Sequence, residues 1–374
     1  MISFLIVFCL ALEVLAFDPL SRTNVALYWG QKPGKSSLAE YCQDDSVDIL
    51  VISSLSKLSY ELGNLDLPLL CKYDKSEAPC NRENYPEEFE ALAKDIKFCQ
   101  SKNKIVLLSV ELVDSNGSPF TGDYPYKLVE LLDQLYMNVG GIPTELRPFG
   151  DVVLDGFDMH MNPTYQAKNV EQFSPDFYMD MKSKLHSSKP VYISVSPDCL
   201  DVRAWYYNML AIANIDFIFP RFYDLNKCQT RVSEEDAHLL GYHLSTSKFA
   251  NINIKFYAGL YADPGTRNDH TSPESLYDIF ASQLLPFETK AFEGDLIGGA
   301  AIWNAGMSDE NIDMAGRTYA QQIKYELNAL AAMYGATSRD YTCKEDFPFT
   351  AGSFYHNALP KLPAFNTNCS ETRS

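Results

Sequence analysis

A chain of 374 residues, 46% of them hydrophobic, can bury a sizeable core, and one barrel domain of ~250 residues fits inside it with room for insertions. Its formal net charge of −18 excludes nucleic acid and anionic membrane as partners, since both need a basic face that releases counterions. The same charge suits solubility outside a cell and says nothing about fold.

In chain order, Met1 to Ala16 is an apolar run with Val14-Leu15-Ala16 as a small-residue cleavage site. It is too short for a membrane span and Glu13 interrupts it, so it reads as a secretory signal. Its removal takes Cys9 with it and leaves eight of the nine cysteines, an even number in a compartment where disulfides persist. All eight are expected to be paired.

From Asn24 the stretch NVALYWGQ reads as a strand that breaks at Gly30, followed by a helix at SLAEYC and a second strand at Asp48 to Ser53. Glu87 to Ser101 has helical spacing at Phe89, Leu92, Ala93 and Ile96, and Lys104 to Val110 is the third strand. Asp151 to Asn162, DVVLDGFDMHMN, is the fourth. The remaining four are Pro190 to Pro197, Asp216 to Phe222, Ile254 to Leu260 and Leu296 to Trp303.

Eight short apolar runs separated by helix-length segments predict an α/β fold, a (β/α)₈ TIM barrel over residues 17–334. Parallel strands need crossover connections and read as near-continuous apolar runs. Ile312 to Tyr334 is the expected closing helix, ended by Gly335, and residues 335–374 are expected to form an extension stapled by Cys343 and Cys369. No apolar tail follows it, so no membrane anchor is expected. Asn116-Gly-Ser and Asn368-Cys-Ser are acceptor triplets for N-glycosylation.

The fourth stretch carries the chemistry. Asp158, His160 and Asn162 follow an apolar VVL with a spacing of two, which puts their side chains on one face at the end of a barrel strand, where pockets form. A DG turn between two strands is the other way to read Asp155-Gly156. His160 could also act as an acid or ligate a metal, but only six histidines are present and no other stands at an evident strand end. No metal and no cofactor is therefore expected.

DGFDMHMN resembles the D-G-x-D-x-D-x-E signature of glycoside hydrolase family 18. NVALYWGQ, RPFGDVVLDGFD, YISVSPDC, DFIFPRFYD and GGAAIW are similar, in that order, to the class III chitinases of plants and yeasts. In that family the substrate's own acetamido oxygen is the nucleophile. The resemblance therefore asks the protein for a general acid and for a carboxylate that orients the acetamide.

Those two positions hold Asn162 and His160 here, while Asp155 and Asp158 are retained. An amide cannot give up a proton near neutral pH. The resemblance thus implies a secreted, catalytically silent chitinase-like protein of the fungal cell wall that binds chitin or chitooligosaccharides or serves as a scaffold, its protein partner left open. The alternative is an active chitinase with relocated acids, Asp198 and Asp224 serving across the cleft.

Carried over by position, Tyr28, Gln31, Tyr223 and Trp303 are substrate-binding, as are the altered positions Asp198, Arg221 and Asp224. Trp303 is either a floor for a sugar ring or core at a barrel end. Arg221 is either drift or a partner for the new carboxylates. The resemblance also implies the disulfides Cys42 with Cys99, Cys71 with Cys80, and Cys199 with Cys228, leaving Cys343 to pair with Cys369.

Overall fold

Eight parallel strands close into a barrel in sequence order, β1 next to β2 and so on until β8 pairs β1. The computed structural model describes residues 17–31, 36–55, 81–111, 124–160, 175–197, 214–221, 253–263, 272–273, 276 and 297–338. The chain divides into two compact units, Met1–Met333, which holds the barrel, and Tyr334–Ser374, of which residues 334–338 are described.

The strands are β1 (Asn24–Trp29), β2 (Ile49–Leu55), β3 (Ile105–Glu111), β4 (Gly156–His160), β5 (Tyr192–Ser196), β6 (Phe217–Ile218), β7 (Lys255–Tyr261) and β8 (Ile297–Trp303). The helices are α1 (Leu38–Cys42), α2 (Pro86–Ser101), α3 (Tyr124–Leu132), α4 (Pro175–Lys184), α5 (Ala305–Glu310) and α6 (Tyr319–Ser338). Helix α6 runs through Gly335 to Ser338, beyond the expected stop, because a glycine inside a helix costs only about 1 kcal/mol. At its other end the expected helix is broken: residues 311–318 separate α5 from α6.

Alternation along each strand fills the lumen with one set of side chains. Ala26 and Tyr28, Ile49 and Val51, Ile105 and Leu107, Phe217 and Phe219, Tyr257 and Ala301 form one buried cluster. Aromatic rings dominate it on the β5–β7 side, where Tyr192 stacks on Phe217 at 5.4 Å and Phe219 meets Tyr257 edge-on at 4.9 Å between centroids. Phe17 lies against Tyr192 and Phe217 at 5.7 and 6.3 Å. It closes the lumen at the strands' N-terminal end, so ligand access is left to the C-terminal mouth.

At that closed end one device occurs three times. The residue just before each of β2, β4 and β6 is an aspartate, and it accepts the backbone N–H of the second residue of the preceding strand. Asp48 accepts from Val25 at 2.7 Å, Asp155 from Val106 at 2.8 Å and Asp216 from Ile193 at 2.9 Å. Each carboxylate also takes a lysine: Lys324 at 2.7 Å, Lys189 at 2.6 Å and Lys182 at 2.6 Å. Gln100 of α2 adds a further bond to Asp155 at 2.9 Å.

Gly156 opens β4 rather than a hairpin turn. Its φ is +150°, and a Cβ there would fall inside the carbonyl of Tyr192 on β5, so the close approach of the two strands requires a glycine. Just upstream, the fully buried Arg147 gathers the chain between α3 and β4. Its guanidinium donates to the carbonyls of Gly150, Gln134, Asn138 and Val152 at 2.6–2.9 Å.

The disulfide Cys42–Cys99 joins α1 to α2, as the resemblance implied. Closing a loop of that length stabilises by about 4 kcal/mol in the chain-entropy account. The other three expected pairs, the signal stretch and both glycosylation triplets lie outside the described residues.

Candidate functional site

The C-terminal ends of the strands bring Tyr28, Asp158, His160, Arg221 and Trp303 to one mouth. Asp158 is wholly buried. Ser194 and Ser196 donate to its Oδ1 at 2.8 and 2.6 Å, and Tyr28 and Ser109 to its Oδ2, each at 3.0 Å. Tyr28 and Ser196 also meet each other at 2.6 Å.

Four hydroxyl protons cannot fill five such contacts, and a proton on the carboxyl itself completes the set. Burial drives Asp158 the same way, raising its pKa above the ordinary aspartate value even though the hydroxyls pull it down. The sequence reading missed Ser109, Ser194 and Ser196. Their signal was available: each sits at an inward position of its strand, in register with Asp158 or two residues from it.

One step nearer the mouth, Arg221 Nη1 lies 3.2 Å from His160 Nε2. A guanidinium only donates, so Nε2 accepts and the proton of the neutral ring sits on Nδ1. Burial, and then the charge of Arg221, push the His160 pKa down to about 3. The imidazole is therefore a neutral group at any ordinary pH and no store of protons for a leaving group.

The shift makes a stability prediction. Between pH 6.5 and about 3 the unfolded chain binds a proton at His160 and the folded chain does not, so stability is lost as pH falls through that window. The slope from this residue is up to about 1.4 kcal/mol per pH unit. Urea unfolding at pH 7 and pH 4.5 should show a smaller loss for His160→Gln than for the parent chain. Equal losses would mean that the imidazole is not the titrating cause.

Glu111, at the end of β3, is in register with His160 and accepts the Ser54 hydroxyl at 2.9 Å. Trp303 packs partly against the lumen cluster and stands 5.3 Å from the Tyr28 ring at 51°. It is thus partly core and partly exposed at the strand end. Both amide atoms of Gln31 are buried without a hydrogen-bond partner among the described residues.

Asp155, by contrast, belongs to the closed end. Five residues of extended chain, roughly 16 Å, separate it from His160, and its oxygens are committed to Val106, Gln100 and Lys189. Asn162, Asp198, Tyr223 and Asp224 lie outside the described residues. Among the described residues no three His, Cys, Asp or Glu side chains converge as a metal set, and no helix is long and apolar enough to cross a membrane.

No family model matches the chain. Chitinase 3 of Candida albicans is 30% identical over 320 residues, a match that covers 83% of this chain and 52% of that protein. The chain spans about half or less of the length of several curated relatives it matches. Among solved structures, the ICChI chitinase from Ipomoea carnea superposes with a TM-score of 0.58 at 22% identity, over 81% of this chain and 99% of that one. The tamarind chitinase-like lectin does so with a TM-score of 0.53 at 22% identity, over 82% and 98%.

Proposed function

We propose that this chain, which has the chitinase fold of glycoside hydrolase family 18 and is homologous to fungal chitinases, binds a carbohydrate of the chitin type without cleaving it. Within that family we read it as a class III, plant and yeast type sequence whose catalytic motif has degenerated. The observation that carries the reading is the Arg221–His160 hydrogen bond. It holds a neutral imidazole where the resemblance places an orienting carboxylate, and the amide of Asn162 follows two residues later.

Several features support binding. Trp303, backed by the buried Tyr28 ring, offers its ring to the apolar face of a sugar, and the buried amide of Gln31 offers a donor and an acceptor to its hydroxyl rim. The Cys42–Cys99 disulfide supports an oxidising compartment, and we place the protein outside the cell, at the cell wall. Tyr223, Asp198 and Asp224 complete the binding set in this reading.

A fluorogenic chitooligosaccharide should be turned over at background, since loss of the general acid alone removes a factor of ~10²–10⁴. Chitin beads should nevertheless retain the protein. Turnover at ordinary family rates, abolished by Asp198→Asn, would transfer the function to relocated acids. Failure to bind chitin would leave a scaffold with a closed pocket.

A further inference from the structure

We propose that Glu111, at the top of β3, receives the ammonium group of a glucosamine unit, so that the preferred ligand is a chitin-type chain that has lost acetyl groups. The proposal rests on the carbohydrate-binding reading and narrows its ligand class.

Strand parity turns Glu111 into the mouth. Ile105 and Leu107 belong to the lumen cluster and Ser109 donates to Asp158, so Glu111 is the next residue of the inward set. On β4 the same count leads from Asp158 to His160, and on β8 from Ala301 to Trp303. Ser109 and Asp158 are fully buried, whereas Glu111, His160 and Trp303 are each partly exposed. Solvent therefore enters from the mouth as far as the layer of Glu111 and stops there.

The Glu111 carboxylate is placed and uncommitted. Ser54 donates to its Oε1 at 2.9 Å, which holds the group against β2, and it forms no ion pair with a lysine or arginine among the described residues. The carboxylates of Asp48, Asp155 and Asp216 at the closed end each have a lysine, and Asp158 is enclosed by four hydroxyls. Glu111 has neither kind of enclosure.

A carboxylate in that position gains about twice as much from a charged donor as from a neutral one. N-acetylglucosamine brings it the neutral N–H of an acetamide, and glucosamine brings it an ammonium. The acetyl group also loses its own reason to be present, because the neutral His160 stands where the resemblance places the carboxylate that orients it. Trp303 lies three strands away, roughly 14 Å around the wall at ~4.8 Å per strand, which is wider than one sugar ring and calls for an oligosaccharide.

Two further charges act on such a ligand. Arg221 opposes it, but the guanidinium is directed at His160 and makes no ion pair with Glu111. The net charge of −18 favours it, and that attraction sums over every amine of the chain.

The test compares two hexasaccharides by calorimetry on the full chain, in mildly acidic buffer where amines carry their protons. One is the hexamer of glucosamine and the other is chitohexaose. The glucosamine hexamer should bind at least about tenfold more tightly, and added salt should narrow the gap. Glu111→Gln, whose amide can still accept the Ser54 hydroxyl, should cut the ratio of the two affinities to about threefold or less. Glu145→Gln removes the same charge from the exposed turn ahead of β4, at the closed end, and should keep the parent ratio.

Glu111→Asp draws the carboxylate back by one methylene and should also lower the ratio, so it carries the test if Glu111→Gln fails to fold. Chitohexaose binding as tightly as the glucosamine hexamer would overturn the proposal and leave the carbohydrate-binding reading standing, as would a ratio that falls equally in Glu111→Gln and Glu145→Gln or in neither. Binding of neither hexamer at millimolar concentration would overturn both.

Discussion

Gly156→Ala is expected to leave no folded barrel to measure. The added methyl would overlap the Tyr192 carbonyl oxygen, and both the overlapped atom and the residue itself are backbone held in the β4–β5 ladder. Nothing there is a flexible side-chain end that could swing away, and the φ of +150° is strained for any residue with a Cβ. Relief requires β4 to part from β5, which opens the barrel. We expect loss of soluble protein, or a chain without a cooperative unfolding transition. Recovery of Gly156→Ala with a thermal midpoint within a few degrees of the parent would show that the two strands can separate locally, and would remove steric approach as the reason for the glycine.

Arg147→Met is expected to destabilise by about 3 kcal/mol, which corresponds to a fall of roughly 4–5 °C in the thermal midpoint of a domain this size. Four carbonyls lose a donor together: those of Gly150 and Val152, which are buried, and those of Gln134 and Asn138, which are part-buried, the last keeping the Gly141 N–H. Each acceptor left without a partner costs about 1–3 kcal/mol. Removing a buried charge works the other way, since methionine of similar length has no desolvation penalty. The carbonyls win because they are four, and no carboxylate is paired with the guanidinium in those bonds. Arg147→Lys should lose nearly as much, because one ammonium cannot reach all four oxygens. A midpoint unchanged to within about 2 °C in both variants would show that the carbonyls find water or other donors.

All eight strands were legible in the sequence for a physical reason. A strand buried on both faces must be apolar along its length, and runs such as KIVLLSV and LIGGAAIW announce themselves without any knowledge of their neighbours. The mouth was legible for a related reason: a spacing of two fixes a shared face, so Asp158 and His160 could be placed together before any coordinates. Their partners could not. Ser109 and Ser196 come from other strands, and only the register that sets them beside Asp158 turns two ordinary serines into donors to a buried acid.

Arg221 was legible as a mouth residue, yet its bond to His160 was not, because a side chain of that length has several targets within reach. The stretch from Asp133 to Leu146, a π turn and a 3₁₀ turn, has no periodicity to read. It takes its shape from Arg147 instead. The aspartates at the heads of β2, β4 and β6 were visible in DILVIS, DGFD and DFIF, but a carboxylate before an apolar run reads as ordinary strand punctuation until its lysine is known.

Those aspartates belong to a hoop. Each one sews an even strand to the odd strand before it, joining β1 with β2, β3 with β4 and β5 with β6, and lysines carry the stitching across the joints between, Lys104 ahead of β3 to the carbonyls just before β2 and Lys189 ahead of β5 to Asp155 at the head of β4. Pulled apart from its closed end, such a cylinder would resist from β1 to β6 as one band rather than come away in staves.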